Sequence, residues 1–77
     1  MATVLIVEDD RLYARATTNW LVKNGINARY VLSVDTAKDF LDNHDVDLVL
    51  SDYRLNNGNG VELLGWMNTH GYRIPFL

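Results

Sequence analysis

The sequence predicts an α/β fold, a parallel sheet with helices on both faces, and three observations predict it. Short apolar runs rich in β-branched residues recur along the chain: Val4-Leu5-Ile6-Val7, Ala28 to Leu32, Leu48-Val49-Leu50 and Ile74 to Leu77. Each of the first three is followed by a stretch with helical spacing, so the elements alternate as βαβαβαβ. Acidic residues, Glu8-Asp9-Asp10 and Asp52, stand where the first and third runs end. In open α/β sheets that carboxyl edge is where ligands bind.

The first run has no polar residue between Val4 and Val7, the mark of a strand buried on both faces. Helical spacing follows from Leu12 to Lys23, with Leu12, Ala16 and Trp20 at i, i+4 and i+8, flanked by Tyr13, Thr17 and Leu21. This predicts that they share the apolar face. Asp10 is placed to cap this helix, and Asn24-Gly25 to stop it. Ala28 to Leu32 reads as the second strand. Ser33 caps a second helix whose Val34, Ala37, Phe40 and Leu41 share a face.

Leu48 to Leu50 is the third strand, ending at Ser51-Asp52. A Gly-rich polar loop, Asn56 to Gly60, leads to a third helix. There Asn59 and Glu62 have capping-box spacing, and Val61, Leu64 and Met67 are expected to line one face. Gly71 ends that helix, and Ile74 to Leu77 begins a fourth strand.

Composition narrows the function. With 77 residues the chain is at most one small domain. It has no cysteine, so disulfides and thiolate metal sites are excluded. A net charge of −3 gives no electrostatic basis for nucleic-acid binding. The apolar runs are too short to span a bilayer and no secretory leader is evident, so a soluble, cytoplasmic protein is expected. His44 and His70 lie near helix ends without partners at metal-ligand spacing, and interaction with the helix termini or simple exposure is their expected role. Trp20 and Trp66 read as packing or partly exposed residues, with a partner surface as the second reading, and Arg11, Arg15 and Lys23 as a solvated helix face.

If the first and third strands are neighbours, Glu8, Asp9, Asp10 and Asp52 converge on one pocket. Carboxylates so gathered repel one another, and a divalent cation relieves the repulsion. Oxygen-only ligation points to a hard ion: Mg²⁺ first, with Mn²⁺ or Ca²⁺ as alternatives. Mg²⁺ also clamps a phosphoryl group, and an aspartate beside it can act as nucleophile to form an acyl phosphate. The plain alternative is that strand-end aspartates merely cap helices and turns.

These residues resemble a known family. Val4 to Asp10 is similar to the first strand and acidic cluster of two-component receiver domains. Asp47-Leu48-Val49-Leu50-Ser51-Asp52 resembles their third strand and phosphoacceptor, Asn59-Gly60-Val61-Glu62-Leu63-Leu64 the start of their third helix, and Tyr72-Arg73-Ile74-Pro75 the lead into their fourth strand. The 43-residue step from Asp9 to Asp52 also fits.

The resemblance implies a doubly wound, flavodoxin-like (CheY-like) parallel sheet, incomplete at about βαβαβαβ, with residues 1–77 as the N-terminal portion of a receiver. It implies that Asp52 takes a phosphoryl group from a sensor histidine kinase, a phosphotransfer protein or a small donor. It implies that Asp9 and Asp52 ligate Mg²⁺ directly with the backbone carbonyl of Arg54, that Glu8 acts through water, and that the first helix meets the kinase. Such a module is a switch for an output, not an enzyme beyond its own phosphorylation and dephosphorylation.

Two departures matter. Asn56 stands where the family usually has Pro, and the family's later elements, with their switch hydroxyl, Lys and aromatic residue, are missing. A chain ending at Leu77 is therefore expected to be unstable, or to dimerise or swap. Two further readings compete. A pseudo-receiver would fold without productive phosphorylation. A haloacid-dehalogenase-type phosphohydrolase would need an acid two residues after its nucleophile, where Arg54 stands.

Overall fold

The computed structural model describes residues 2–51 and 60–76. The elements follow in the order β1 (Thr3–Val7), α1 (Arg11–Lys23), β2 (Asn27–Val31), α2 (Val34–Asn43), β3 (Leu48–Ser51) and α3 (Gly60–Thr69). The three strands form one parallel sheet in the order β2-β1-β3. The expected alternation and parallel pairing are both present. β2 lies one residue earlier than the apolar run indicated, because pairing with β1 starts at Thr3↔Asn27.

The fourth strand is present only as its beginning. Among the described residues it is a single parallel bridge, Val49↔Phe76, supported by Val49 N–H donating to the Pro75 carbonyl at 3.0 Å. That bridge lies on β3, so the chain returns beyond β3 and not beside β2. The strand order therefore reverses between β1 and β3.

Central β1 buries alternate residues on opposite faces. Leu5 and Val7 join Val49, Val34, Ala37, Leu41, Leu63 and Met67 in a core under α2 and α3. Val4 and Ile6 join Ala28 in a smaller cluster on the α1 side, with Leu21, Leu48 and Leu50 half-buried against it.

Local chemistry sets the helix limits. Asp10 caps α1 by accepting the Leu12 and Tyr13 amides, and Ser33 caps α2 in a reciprocal box with Thr36. Two helices end alike. Gly25 (φ +82°) and Gly71 (φ +79°) turn left-handed, which lets the amides of Ile26 and Tyr72 reach the Leu21 and Met67 carbonyls at 3.0 and 2.9 Å.

Two helix faces differ from expectation. The side of α1 on the sheet is Ala14 and Thr18, with Thr17 and Leu21 half-buried. Leu12 and Trp20 of the expected stripe are 76 % and 63 % exposed, and Ala16 and Tyr13 are exposed too. The sheet accepts the small side chains because they let the helix lie close. In α3 the buried residues are Leu63 and Met67, with Trp66 half-buried, while Val61 and Leu64 face outward. That helix is apolar almost all round, so spacing alone did not select its face. The Asn59–Glu62 capping box and the Asn56 to Gly60 loop fall on residues outside the described ones, apart from the helical Gly60 and Glu62.

Candidate functional site

The site begins with register. Val7 pairs with Ser51 across β1 and β3, so the chain leaves both strands at the same level of the sheet. Glu8 and Asp9 therefore emerge beside the point where the chain proceeds to Asp52. Asp52 and Arg54, named from the sequence as acceptor and carbonyl ligand, lie outside the described residues.

The three consecutive acids have been given three different environments. The Glu8 amide continues the sheet ladder, donating to the Val31 carbonyl at 3.1 Å. Its side chain is buried, only 6 % exposed, and Oε1 accepts the Asp10 amide at 3.1 Å. A buried carboxylate requires such donors, since its charge is otherwise poorly solvated.

Asp10 is exposed, and its Oδ1 is occupied by the Leu12 and Tyr13 amides at 3.0 and 3.2 Å. Asp9, between them, is half-buried and accepts no hydrogen bond among the described residues. Its carboxylate is thus the one of the three that local backbone bonding does not use.

Beside these acids a cavity of about 320 Å³ opens between α1 and β3, lined by Ile6, Val7, Glu8, Tyr13, Thr17, Leu50 and Ser51. The Ser51 hydroxyl oxygen is buried there without a hydrogen-bond partner among the described residues. Sequence reading did not single out this hydroxyl, because nothing in the sequence distinguishes a paired serine from an orphaned one.

Among the described residues no group of three His, Cys, Asp or Glu side chains is arranged to hold a metal ion. The donor chemistry nevertheless fits a hard cation. Among the described residues the edge carries the Glu8 and Asp9 carboxylates and the Ser51 hydroxyl, oxygen groups of the kind that suit a hard ion.

The histidines are accounted for elsewhere. Nδ1 of His44 and of His70 lies 3.1 and 2.9 Å from the carbonyls of Phe40 and Trp66, one turn back, and each imidazole stacks on that aromatic ring. They act at helix carboxyl ends, as expected. Trp66 also stacks on Tyr72, with Lys38 Nζ 5.8 Å from its ring centre, so it packs between α2 and α3. No helix of the described residues is long and apolar enough to cross a membrane.

A parallel sheet whose order reverses between β1 and β3, with acids at the carboxyl end of β1, defines an open α/β sheet of the doubly wound class, whose general ligand edge is that one. The chain belongs to the response regulator receiver domain family, whose model matches residues 4–77. It is therefore a receiver segment of two-component signalling.

Similar solved structures agree. The MaeR response regulator bound to beryllium trifluoride is 30 % identical, with a TM-score of 0.89, and the match covers 100 % of this chain and 65 % of that one. A CheY-like receiver domain from Methylobacillus flagellatus is 26 % identical, with a TM-score of 0.90, over 99 % of this chain and 66 % of that one. Among curated proteins, response regulator protein FleR of Pseudomonas aeruginosa is 34 % identical over 76 residues, 99 % of this chain and 16 % of its own length. Heme response regulator HssR of Staphylococcus epidermidis is 29 % identical over 77 residues, 100 % of this chain and 34 % of its length. The chain thus spans about a third or less of these curated relatives.

Proposed function

We propose that this segment is the acceptor half of a phosphorylation switch, with Asp52 as the residue modified. The observation that carries the reading is the β1–β3 register. Val7 pairs with Ser51, Glu8 and Asp9 follow Val7 directly, and Ser51 is the residue before Asp52 in the sequence. A carboxylate oxygen of Asp52 attacks phosphorus, the bond from phosphorus to the donor breaks, and an acyl phosphate forms. The donor is the phosphohistidine of a sensor histidine kinase or phosphotransfer protein, or a small acyl phosphate.

Asp9, Asp52 and the Arg54 carbonyl are the proposed ligands of Mg²⁺, with Glu8 acting through water. When bound, the ion neutralises charge on the transferring oxygens. Support comes from MaeR, a relative solved with beryllium trifluoride, an anion whose carboxylate adducts have the shape of an acyl phosphate. We read residues 1–77 as the amino-terminal portion of a receiver that controls an output in the cytoplasm, and the exposed face of α1 as the surface offered to the kinase.

The test is the intact mass after incubation with Mg²⁺ and acetyl phosphate. One added phosphoryl group, absent from Asp52→Asn and from samples treated with a chelator, is the expected result. An unchanged mass in the wild-type chain, or equal labelling of Asp52→Asn, overturns the assignment.

A further inference from the structure

We infer that Asp10 is a positioning residue for Asp9: its side chain holds no ion but fixes the β1–α1 turn on which the Mg²⁺ ligand stands. The inference rests on the Mg²⁺ reading above and adds the device that sets the affinity of that site. Three bonds carry it. Asp10 Oδ1 accepts the Leu12 and Tyr13 amides at 3.0 and 3.2 Å, tying the residue to the first turn of α1. Its own amide donates to the buried Glu8 carboxylate at 3.1 Å, tying it back to the end of β1. Asp9 lies between these two attachments, so its backbone is held on both sides while its carboxylate is left out of the network.

The chemistry separates the two aspartates. Two amides hold Asp10 Oδ1 and turn that carboxylate to the start of α1, whereas neither oxygen of Asp9 accepts a hydrogen bond among the described residues, so both are available to a cation. The acidic triplet is therefore not three equivalent ligands. Glu8 anchors, Asp9 binds and Asp10 orients. A ligand aimed by a fixed neighbour needs no reordering when the ion arrives, and loss of such supporting bonds weakens metal sites by about tenfold or more.

The conservative variant distinguishes a cap from a ligand. Asn caps helices about as well as Asp but carries no charge. Mg²⁺ affinity, measured on the full chain by titration calorimetry, should fall about tenfold in Asp10→Ala. Asp10→Asn should stay within about threefold of wild type, since the cap persists.

Asn24→Ala, which removes a side-chain bond at the far end of α1, controls for a loss of helix stability alone and should leave affinity unchanged. If Asp10→Asn binds as weakly as Asp10→Ala, Asp10 acts by charge or ligation and the inference fails. It also fails if Asp10→Ala binds like wild type, or if Asn24→Ala weakens binding equally. Asp9→Asn reports on the underlying site separately: unchanged Mg²⁺ binding in that variant removes the Mg²⁺ assignment itself, whatever Asp10 does.

Discussion

The two faces of the sheet differ in how they are covered. Under α2 and α3, Leu5, Val7 and Val49 are sealed by Val34, Ala37, Leu41, Leu63 and Met67 into one continuous core. On the opposite face Val4, Ile6 and Ala28 are buried beneath α1, but Leu48 and Leu50 are only half-buried and a cavity runs between α1 and β3. The first face carries large side chains from two helices. The second meets mainly Ala14 and Thr18, which give close approach and little volume. Stability is therefore expected to reside in one face, while the other remains accessible beside the acidic edge.

Cavity-forming substitutions in β1 sharpen that comparison most. Leu5 is fully buried in the larger core, and Leu5→Ala should cost about 2–5 kcal/mol. Ile6→Ala, one residue on, empties space next to an existing cavity, where fewer contacts are lost, and should cost less. Urea unfolding of both variants gives the ranking. A larger loss for Ile6→Ala would show that the α1 face is the better packed.

Next in size is the cap of α2 on the same well-covered side. Ser33 Oγ accepts the Thr36 amide at 3.2 Å, and Thr36 Oγ1 accepts the Ser33 amide at 3.2 Å. Ser33→Ala should lower stability by about 1 kcal/mol, read as a shift of the urea midpoint without a change in slope. Retention of full stability would mean that core packing alone holds α2 in place.

How much was legible in the sequence follows the same division. β1 and β3 were readable because each is an unbroken apolar run, and such runs are central strands of parallel sheets. α2 was readable because Val34, Ala37 and Leu41 keep strict spacing and are buried as expected. α3 was half-readable: Val61, Leu63, Leu64, Trp66 and Met67 surround the helix, and only contact with α2 and the sheet selects Leu63 and Met67.

The acidic edge was legible as a cluster at a strand end, and Asp10 as a cap. That Glu8 receives the Asp10 amide was not, since it depends on the turn's backbone path. The tie between Tyr72 and the end of α2 was also invisible, because its partners lie 30 and 31 residues away.

That tie gives a pH test on the better-covered side. The Tyr72 hydroxyl lies 2.9 Å from the Leu41 carbonyl and 2.8 Å from Asp42 Oδ1. Its hydrogen bond to the Asp42 carboxylate, with lesser contributions from burial and from that carboxylate's charge, raises the phenol above its ordinary pKa near 10. The neutral phenol is thus favoured in the folded state. Its contribution is fully present below the ordinary tyrosine pKa and is lost as pH rises through the raised folded value. Tm should fall slightly more steeply between neutral and strongly alkaline pH in wild type than in Tyr72→Phe, which lacks the ionising group. Parallel curves would show that the hydrogen bond does not couple to folding.

The smallest effect is expected on the side of α1 where sequence spacing put the apolar face. Leu12, Ala16 and Trp20 lie on one side of α1, and that side faces solvent. Their apolar character brings no burial within the described residues, so Trp20→Gln should change stability by no more than about 0.5 kcal/mol. The sheet is instead met by Ala14, Thr17, Thr18 and Leu21, a stripe whose two threonines make it weak on a hydropathy scale. Helical spacing locates apolar residues around the axis but does not say which surface will cover them. If Trp20→Gln costs as much as Leu5→Ala, this side of α1 is buried in solution and the two faces are equally sealed. If it is neutral for folding yet slows phosphoryl transfer from a kinase while leaving transfer from acetyl phosphate intact, the stripe serves recognition. The inequality of the two faces would then have a functional cause.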